Sequence, residues 1–336
     1  LVQGAFHPDT ANSLNNLAGL YQAQSRYAEA ESLYIRALAI QEQKLDPEHP
    51  DIATTLNNLA AVYRLQSRYA EAEPHYLRAL EIINRRFGPT DISTTPILNN
   101  LALLYQDQGR YAEAESHLLR ALEIVERELG PVHPNTAISL TNLAGVYQIL
   151  GRYSEAESYL VRSLEVFEDV LGRLHPDTAN TMNSLASLYQ SQGRYADAEE
   201  YYITALEIFN RVLGANHPST ASILNNLALL YRRQGRYAEA EEVSLRALRA
   251  IEISLGPNHI AAATSSNNLA SLYQDQGRYA EAESFYQKAL AIVEQELGSV
   301  HPNTAASLNN LASLYQSQGL YAQAEPYYKR ALDIVE

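Results

Sequence analysis

The chain has no cysteine, so disulfides, thiolate metal sites and cysteine nucleophiles are excluded outright. Basic residues are few: 25 lysines and arginines stand against 39 acids, a formal charge of −14. Nucleic-acid binding leaves a basic footprint, and anionic membrane surfaces attract basic clusters. Neither partner is expected here. No apolar run approaches the ~20 residues needed to span a bilayer. No signal peptide is visible, and a cytoplasmic location is expected. The chain starts at Leu1 rather than Met and is read as a piece of something longer. GxSxG, P-loop, HExxH and dinucleotide glycine motifs are all missing. No enzyme and no cofactor are expected.

What the chain does have is a repeat. The stretch NNLAGLYQAQSRYAEAE, from Asn15 to Glu31, returns as NNLAAVYRLQSRYAEAE at Asn57 and as NNLALLYQDQGRYAEAE at Asn99. The spacing is 42 residues, and 336 residues divide into eight such units. A fixed period of this size marks an array in which each unit packs on its neighbours. The repeats run at about 7–48, 49–90, 91–132, 133–174, 175–216, 217–258, 259–300 and 301–336, with no linker between them. The first residues, LVQGAFHPD, match the connector between repeats. Neither end carries the polar cap that arrays normally need.

Each repeat reads as two helices. The first runs from about Pro8 to Gln24. Pro8 suits a first helical position, and Asp9 suits the first turn. Leu14, Leu17, Ala18 and Tyr21 fall at i, i+3, i+4 and i+7, one apolar stripe. Ser25, or glycine in later repeats such as Gly109 and Gly277, supplies the stop. The second helix runs from about Tyr27 to Lys44, with Ala30, Tyr34 and Ala37 inward. The expected fold is all-α: a right-handed superhelical solenoid of eight helical hairpins, a single domain about four-fifths helical.

The spacing of Leu14, Leu17, Ala18, Tyr21, Ala30, Tyr34 and Ala37, together with the LGxxHPxTA connector at Leu171–Ala179, resembles the tetratricopeptide repeat. The unit is lengthened by eight residues, as in kinesin light chains and their bacterial relatives. Glu42 stands where the family often has proline, so long second helices are expected. The resemblance implies a superhelix whose first helices line the concave face. It implies binding of extended or helical peptide segments, and in such superhelices a ladder of asparagines grips the ligand backbone.

Several recurring residues invite chemical readings. His7, His49, His133, His175, His217, His259 and His301 form a row, but neighbouring helices lie ~8–10 Å apart. Equivalent residues therefore cannot share an ion with bonds near ~2 Å. They are read as loop residues that introduce a helix. Glu29 and Glu31 recur in nearly every repeat, whereas a catalytic carboxylate pair would occur once. Arg36, Arg78, Arg120 and Arg162 are expected to pair with such acids. Of the 24 tyrosines, one row runs from Tyr21 to Tyr315 and another from Tyr27 to Tyr321. Their regularity indicates packing, with hydroxyls at the edge between helices.

The asparagines differ. Asn16 projects away from the apolar stripe at 3.6 residues per turn. Asn58, Asn100, Asn142, Asn226, Asn268 and Asn310 recur at its position, and only Ser184 departs. Asparagine is a poor residue inside a helix, yet its amide can serve a peptide's N–H and C=O together. Duplication of the array is the competing explanation. The adjacent row (Asn15, Asn57, Asn99, Asn183, Asn225, Asn267, Asn309) is expected to bond between repeats. Positions flanking the ladder vary, with apolar Leu65, Leu103 and Ile149 in repeats two to four and basic Arg232 and Arg233 in repeat six. The expected function is a protein-interaction scaffold holding a partner's peptide in the groove. The alternative is a structural array that associates end to end. In repeat three, Asp91-Ile92 replace His-Pro and Pro96 falls inside the usual helix. That helix is expected to start late, with Thr95 as N-cap, and to leave a weak joint.

Overall fold

A computed structural model describes residues 7–335. The connector-like start, residues 1–6, lies outside the described residues, as does Glu336. The chain is 83% helical, with 16 helices and no strand among the described residues, and consecutive helices from α1 to α7 and from α9 to α16 are in contact. The first four hairpins are α1 (Pro8–Ala23) and α2 (Tyr27–Lys44), α3 (Pro50–Leu65) and α4 (Tyr69–Phe87), α5 (Thr95–Asp107) and α6 (Tyr111–Leu129), and α7 (Pro134–Ile149) and α8 (Tyr153–Val170). Then come α9 (Pro176–Ser191) and α10 (Tyr195–Val212), α11 (Pro218–Arg233) and α12 (Tyr237–Ser254), α13 (Ile260–Asp275) and α14 (Tyr279–Leu297), and α15 (Pro302–Ser317) and α16 (Tyr321–Val335). The array is an α-solenoid of helical hairpins. It divides into two compact units, one up to Val166 and one from Phe167 onward.

The helix limits follow from local chemistry. Each recurring histidine is an N-cap: its Nδ1 accepts the backbone N–H two residues on, at 3.1–3.2 Å from His7 through His301. That satisfies one of the donors a helix start leaves open. Proline follows at the first helical position except after His259, where Ile260 stands. The first helix stops where Gly109 turns to φ +73°, a conformation glycine adopts without cost. In the first two repeats Ser25 and Ser67 take φ 61° instead. The second helices reach 18–19 residues in repeats one to seven.

Repeat three departs as its sequence demands, with one correction. Asp91, not histidine, opens the segment, its Oδ1 accepting from Ser93 N–H at 2.9 Å. A 3-10 turn covers Ile92–Thr94 before α5 begins. Thr94, not Thr95, is the N-cap residue of α5, and Pro96 falls in its first turn, where no N–H is needed. The 3-10 turn restores most of the length the proline removes. Arg120 Nη2 donates to the carbonyl of Pro89 at 2.6 Å, and Arg127 donates to that of Thr90, so the connector is braced.

In both units, packing between repeats combines an apolar seam with a polar clamp. Leu56, Leu59, Leu98 and Leu101 are fully buried in the first unit, and Leu185, Leu227 and Phe209 are buried in the second. The clamp uses the arginine just before each second helix. Arg110 donates to Glu113 of its own helix at 2.8 Å and to Glu73 of the preceding repeat at 2.9 Å. Its guanidinium lies 4.1 Å from the Tyr105 ring centroid, and the Tyr105 hydroxyl donates to Glu73 at 3.1 Å. Arg236, Glu239, Glu199 and Tyr231 repeat the arrangement in the second unit. The Arg236 guanidinium holds the Glu199 carboxyl below the usual range. Burial, with Glu199 adding to it, pushes the Tyr231 hydroxyl up to about 12.

The AEAE acids thus pair with the arginine of the turn, and the Arg36 row does not reach them. Arg78 pairs with Glu42 at 2.6 Å and Arg162 with Glu126 at 2.6 Å, each an acid near the end of the preceding second helix. The Arg36 row lies midway along the second helix, and these pairs set it beside the C-terminal end of the preceding second helix. The tyrosine rows also differ. Tyr63, Tyr105, Tyr147 and Tyr189 are buried, whereas Tyr237, Tyr279 and Tyr321 at the openings of second helices are exposed.

Candidate functional site

The asparagine row lies along the first helices on a face that packing leaves partly open. Asn16 and Asn268 are exposed, and Asn58, Asn100, Asn142, Asn226 and Asn310 are half-buried. The neighbouring row ties repeats together. Asn15 Nδ2 donates to Thr55 Oγ1 at 2.7 Å, and Asn225 Nδ2 donates to Ser265 Oγ at 3.0 Å.

The two rows are linked. Asn100 Nδ2 donates to Asn57 Oδ1 at 2.9 Å, and Asn226 Nδ2 donates to Asn183 Oδ1 at 2.9 Å. Asn57 Nδ2 in turn reaches Asn58 Oδ1 at 3.4 Å. Asn100 and Asn226 therefore hold their neighbours while keeping one N–H and the amide oxygen for another partner. Asn142, Asn268 and Asn310 make no such bond among the described residues. The same step from one repeat to the next carries ion pairs: Arg64 to Asp107 at 2.7 Å and Arg232 to Asp275 at 2.5 Å. Arg232, expected as a ligand contact, thus has an internal partner, and Arg233 is the exposed cation beside it.

The apolar flank is most open in the first unit. Leu103 and Ile149 are 41% and 54% exposed, and Leu65 is half-buried. Leu103, Asn142 and Gly145 border a pocket of about 180 Å³ with Gln106, Leu118 and Thr141. Gly145 carries no side chain to close it, and a Cβ there would meet nothing within 4 Å. Thr141 stands where other repeats have asparagine, and Ser163 stands where they have alanine. The two hydroxyls bond at 2.9 Å. This paired departure at one register was visible in the sequence and was missed there. In the second unit Asn268 borders a much smaller recess beside Leu229 and Arg232.

No group of three or more His, Asp or Glu among the described residues could hold a metal ion. No described helix is long and apolar enough to cross a membrane.

The profile of the tetratricopeptide repeat family matches residues 9–85, 93–169, 139–202, 177–253, 219–284 and 260–336. Among solved structures, BtubC (BKLC) from P. vanneervenii is 26% identical, with a TM-score of 0.56 over 68% of this chain and 90% of that one. A kinesin light chain-type protein of nearly identical TPR-like repeats from Podosopora anserina is 29% identical, with a TM-score of 0.51 over 60% of this chain and 96% of that one. A Rap protein complexed with competence and sporulation factor has a TM-score of 0.61 over 97% of this chain and 98% of its own, at 15% identity. That last likeness is one of fold alone. Comparison with curated proteins gives no match.

Proposed function

We propose, from the premise that this chain belongs to the tetratricopeptide repeat family, that it is a protein-interaction scaffold whose asparagine-bearing face holds an extended segment of a partner protein. The observation that carries this is the amide at one position of seven first helices, Asn16 to Asn310, on a face that remains partly open. Backbone contact to those amides gives affinity without choosing a sequence. Choice comes from Leu65, Leu103 and Ile149 in the first unit, and from Arg233 in the second. A segment held by the first unit would meet apolar side chains, and one held by the second would meet a cation.

The test separates binding from folding. Asn142, Asn268 and Asn310 are changed together to alanine, and affinity for peptides selected from a displayed random library is measured. Each neutral hydrogen bond lost costs ~0.5–1.5 kcal/mol, so three together weaken binding by about tenfold or more. The melting temperature stays within a degree or two. Unchanged affinity rules the asparagine face out. The pair Asn100→Ala and Asn226→Ala is the contrast, because it removes bonds between repeats and lowers stability as well.

A further inference from the structure

We infer that the second unit carries a socket for a basic side chain, arginine or lysine, presented by a partner protein. It involves second helices rather than the asparagine face and does not depend on the function proposed above. The array itself shows what such a socket accepts. Arginine or lysine stands midway along the second helix in seven of the eight repeats. Where the preceding second helix carries an acid near its end, the cation reaches it: Arg78 to Glu42, Arg162 to Glu126, Lys288 to Glu252 at 2.5 Å, and Arg330 to Glu294. In repeat three the residue at the acid's position is Asn84, and Arg120 donates both to its Oδ1 at 3.3 Å and to the connector carbonyl of Pro89 at 2.6 Å.

Repeat five breaks the row. Thr204 stands at the cation's position, and its hydroxyl turns back to the Glu200 carbonyl at 2.9 Å. The acid is retained as Glu168. The space a longer side chain would fill is a pocket of about 430 Å³ with Thr204 in its wall. Leu174, Met182 and Ile208 line it, and Glu168, Glu207, Arg173 and Arg211 are its charged residues. Glu168 and the connector residue Arg173 are the counterparts of the groups that the cation meets in other repeats. Arg173 does not fill the space itself: its side chain is 82% exposed, and its Nε lies 3.6 Å from Glu168. An incoming arginine or lysine would lay its aliphatic stem against Leu174, Met182 and Ile208, as such stems do on apolar surface. Its cation would meet Glu168 and Glu207.

Met182 is the only methionine of the chain and contributes to the lining, so the protein labelled with [methyl-13C]methionine reports the socket with one signal. The probes are Nα-acetyl-arginine methylamide and its neutral isostere Nα-acetyl-citrulline methylamide. The arginine probe should move the Met182 signal saturably in the millimolar range and bind about three- to fivefold tighter than citrulline, as a partly exposed ion pair allows. Glu168→Gln should bring the two probes level. Thr204→Arg, which restores what the other repeats carry, should shift the Met182 signal by itself and abolish the response. Circular dichroism confirms that both variants keep their helix content. Equal binding of citrulline and arginine would overturn the inference in favour of an apolar recess. So would no saturable shift at tens of millimolar, or a full response in Thr204→Arg.

Discussion

At the scale of single residues, the contacts that join repeats are charged, and their value is set by who else is present. Glu199 accepts from the Arg236 guanidinium and from the Tyr231 hydroxyl at once. Glu199→Ala strands a partly buried hydroxyl while Arg236 keeps Glu239, and should cost about 1 kcal/mol, the low end for a bond to a charged group because the site is part-solvated. Urea denaturation checks it, and Arg236→Ala should cost less in the Glu199→Ala background than alone, since the bond between the two is already lost. The direction of the pH dependence also follows. Arg236 depresses Glu199, so this carboxylate's contribution is present above the ordinary unfolded value of ~4.3 and is lost as pH falls through its lower folded value. The raised Tyr231 works oppositely: its contribution is present below ~10 and disappears as pH rises toward about 12. Urea midpoints should therefore be flat across neutrality and fall at both extremes, and Glu199→Gln should flatten the acid limb. The recurrence of Arg, Tyr and Glu was legible in the sequence, but their pairing was not. An arginine has acids within reach on its own helix and on the neighbour, and the choice depends on where the neighbouring helix sets its acids, which no single repeat shows. That choice sends Arg78 to Glu42 rather than to the AEAE acids.

At the scale of elements, the helix limits were readable almost to the residue, because caps and stops are local chemistry. Histidine followed by proline starts a first helix, and a residue at positive φ ends it. Repeat three shows where locality runs out. The sequence placed Pro96 in a first turn but could not foresee that a 3-10 turn would occupy Ile92–Thr94 and move the N-cap to Thr94. Two substitutions test this register. Pro96→Ala should change stability by less than ~1 kcal/mol, because the proline removes no needed N–H. Ile138→Pro, the equivalent position inside α7, should cost ~3 kcal/mol or more. Equal effects in urea melts would show that α5 starts elsewhere. The stops give a further prediction. Ser67 holds φ 61°, where an L-residue is strained by roughly 1–2 kcal/mol. Ser67→Gly should raise stability by several tenths to about 1 kcal/mol, with glycine's greater freedom when unfolded offsetting part of the gain. An unchanged or lower midpoint would show that the serine is relaxed there.

At the scale of the whole molecule, a repeat array distributes its stability over local interfaces. Phe209 is buried on α10, and Phe209→Ala should cost ~3–5 kcal/mol. Hydrogen exchange should show the loss concentrated in α9–α12, and even acceleration from end to end would contradict local cooperativity. The period of 42 made the hairpin count and the helical class legible, since period alone dictates which residues recur beside which. The candidate binding face was only half legible. Recurrence located Asn16 to Asn310, but a wheel drawn on one helix cannot show that Asn100 and Asn226 reach the previous repeat. Those reaches are themselves periodic. The bonds between repeats span fixed offsets of 32, 37 and 43 residues, from Tyr105 to Glu73, Arg110 to Glu73 and Asn100 to Asn57 in one unit, and from Tyr231 to Glu199, Arg236 to Glu199 and Asn226 to Asn183 in the other. Within either unit, then, a gene could gain or lose one stretch encoding 42 residues and the recurring Arg, Tyr and Glu would meet across the new joint at the same offsets. The loss of 41 would put the bonds across that joint out of register. Length in this molecule is a quantity that recombination can adjust in whole steps, without inventing a new joint.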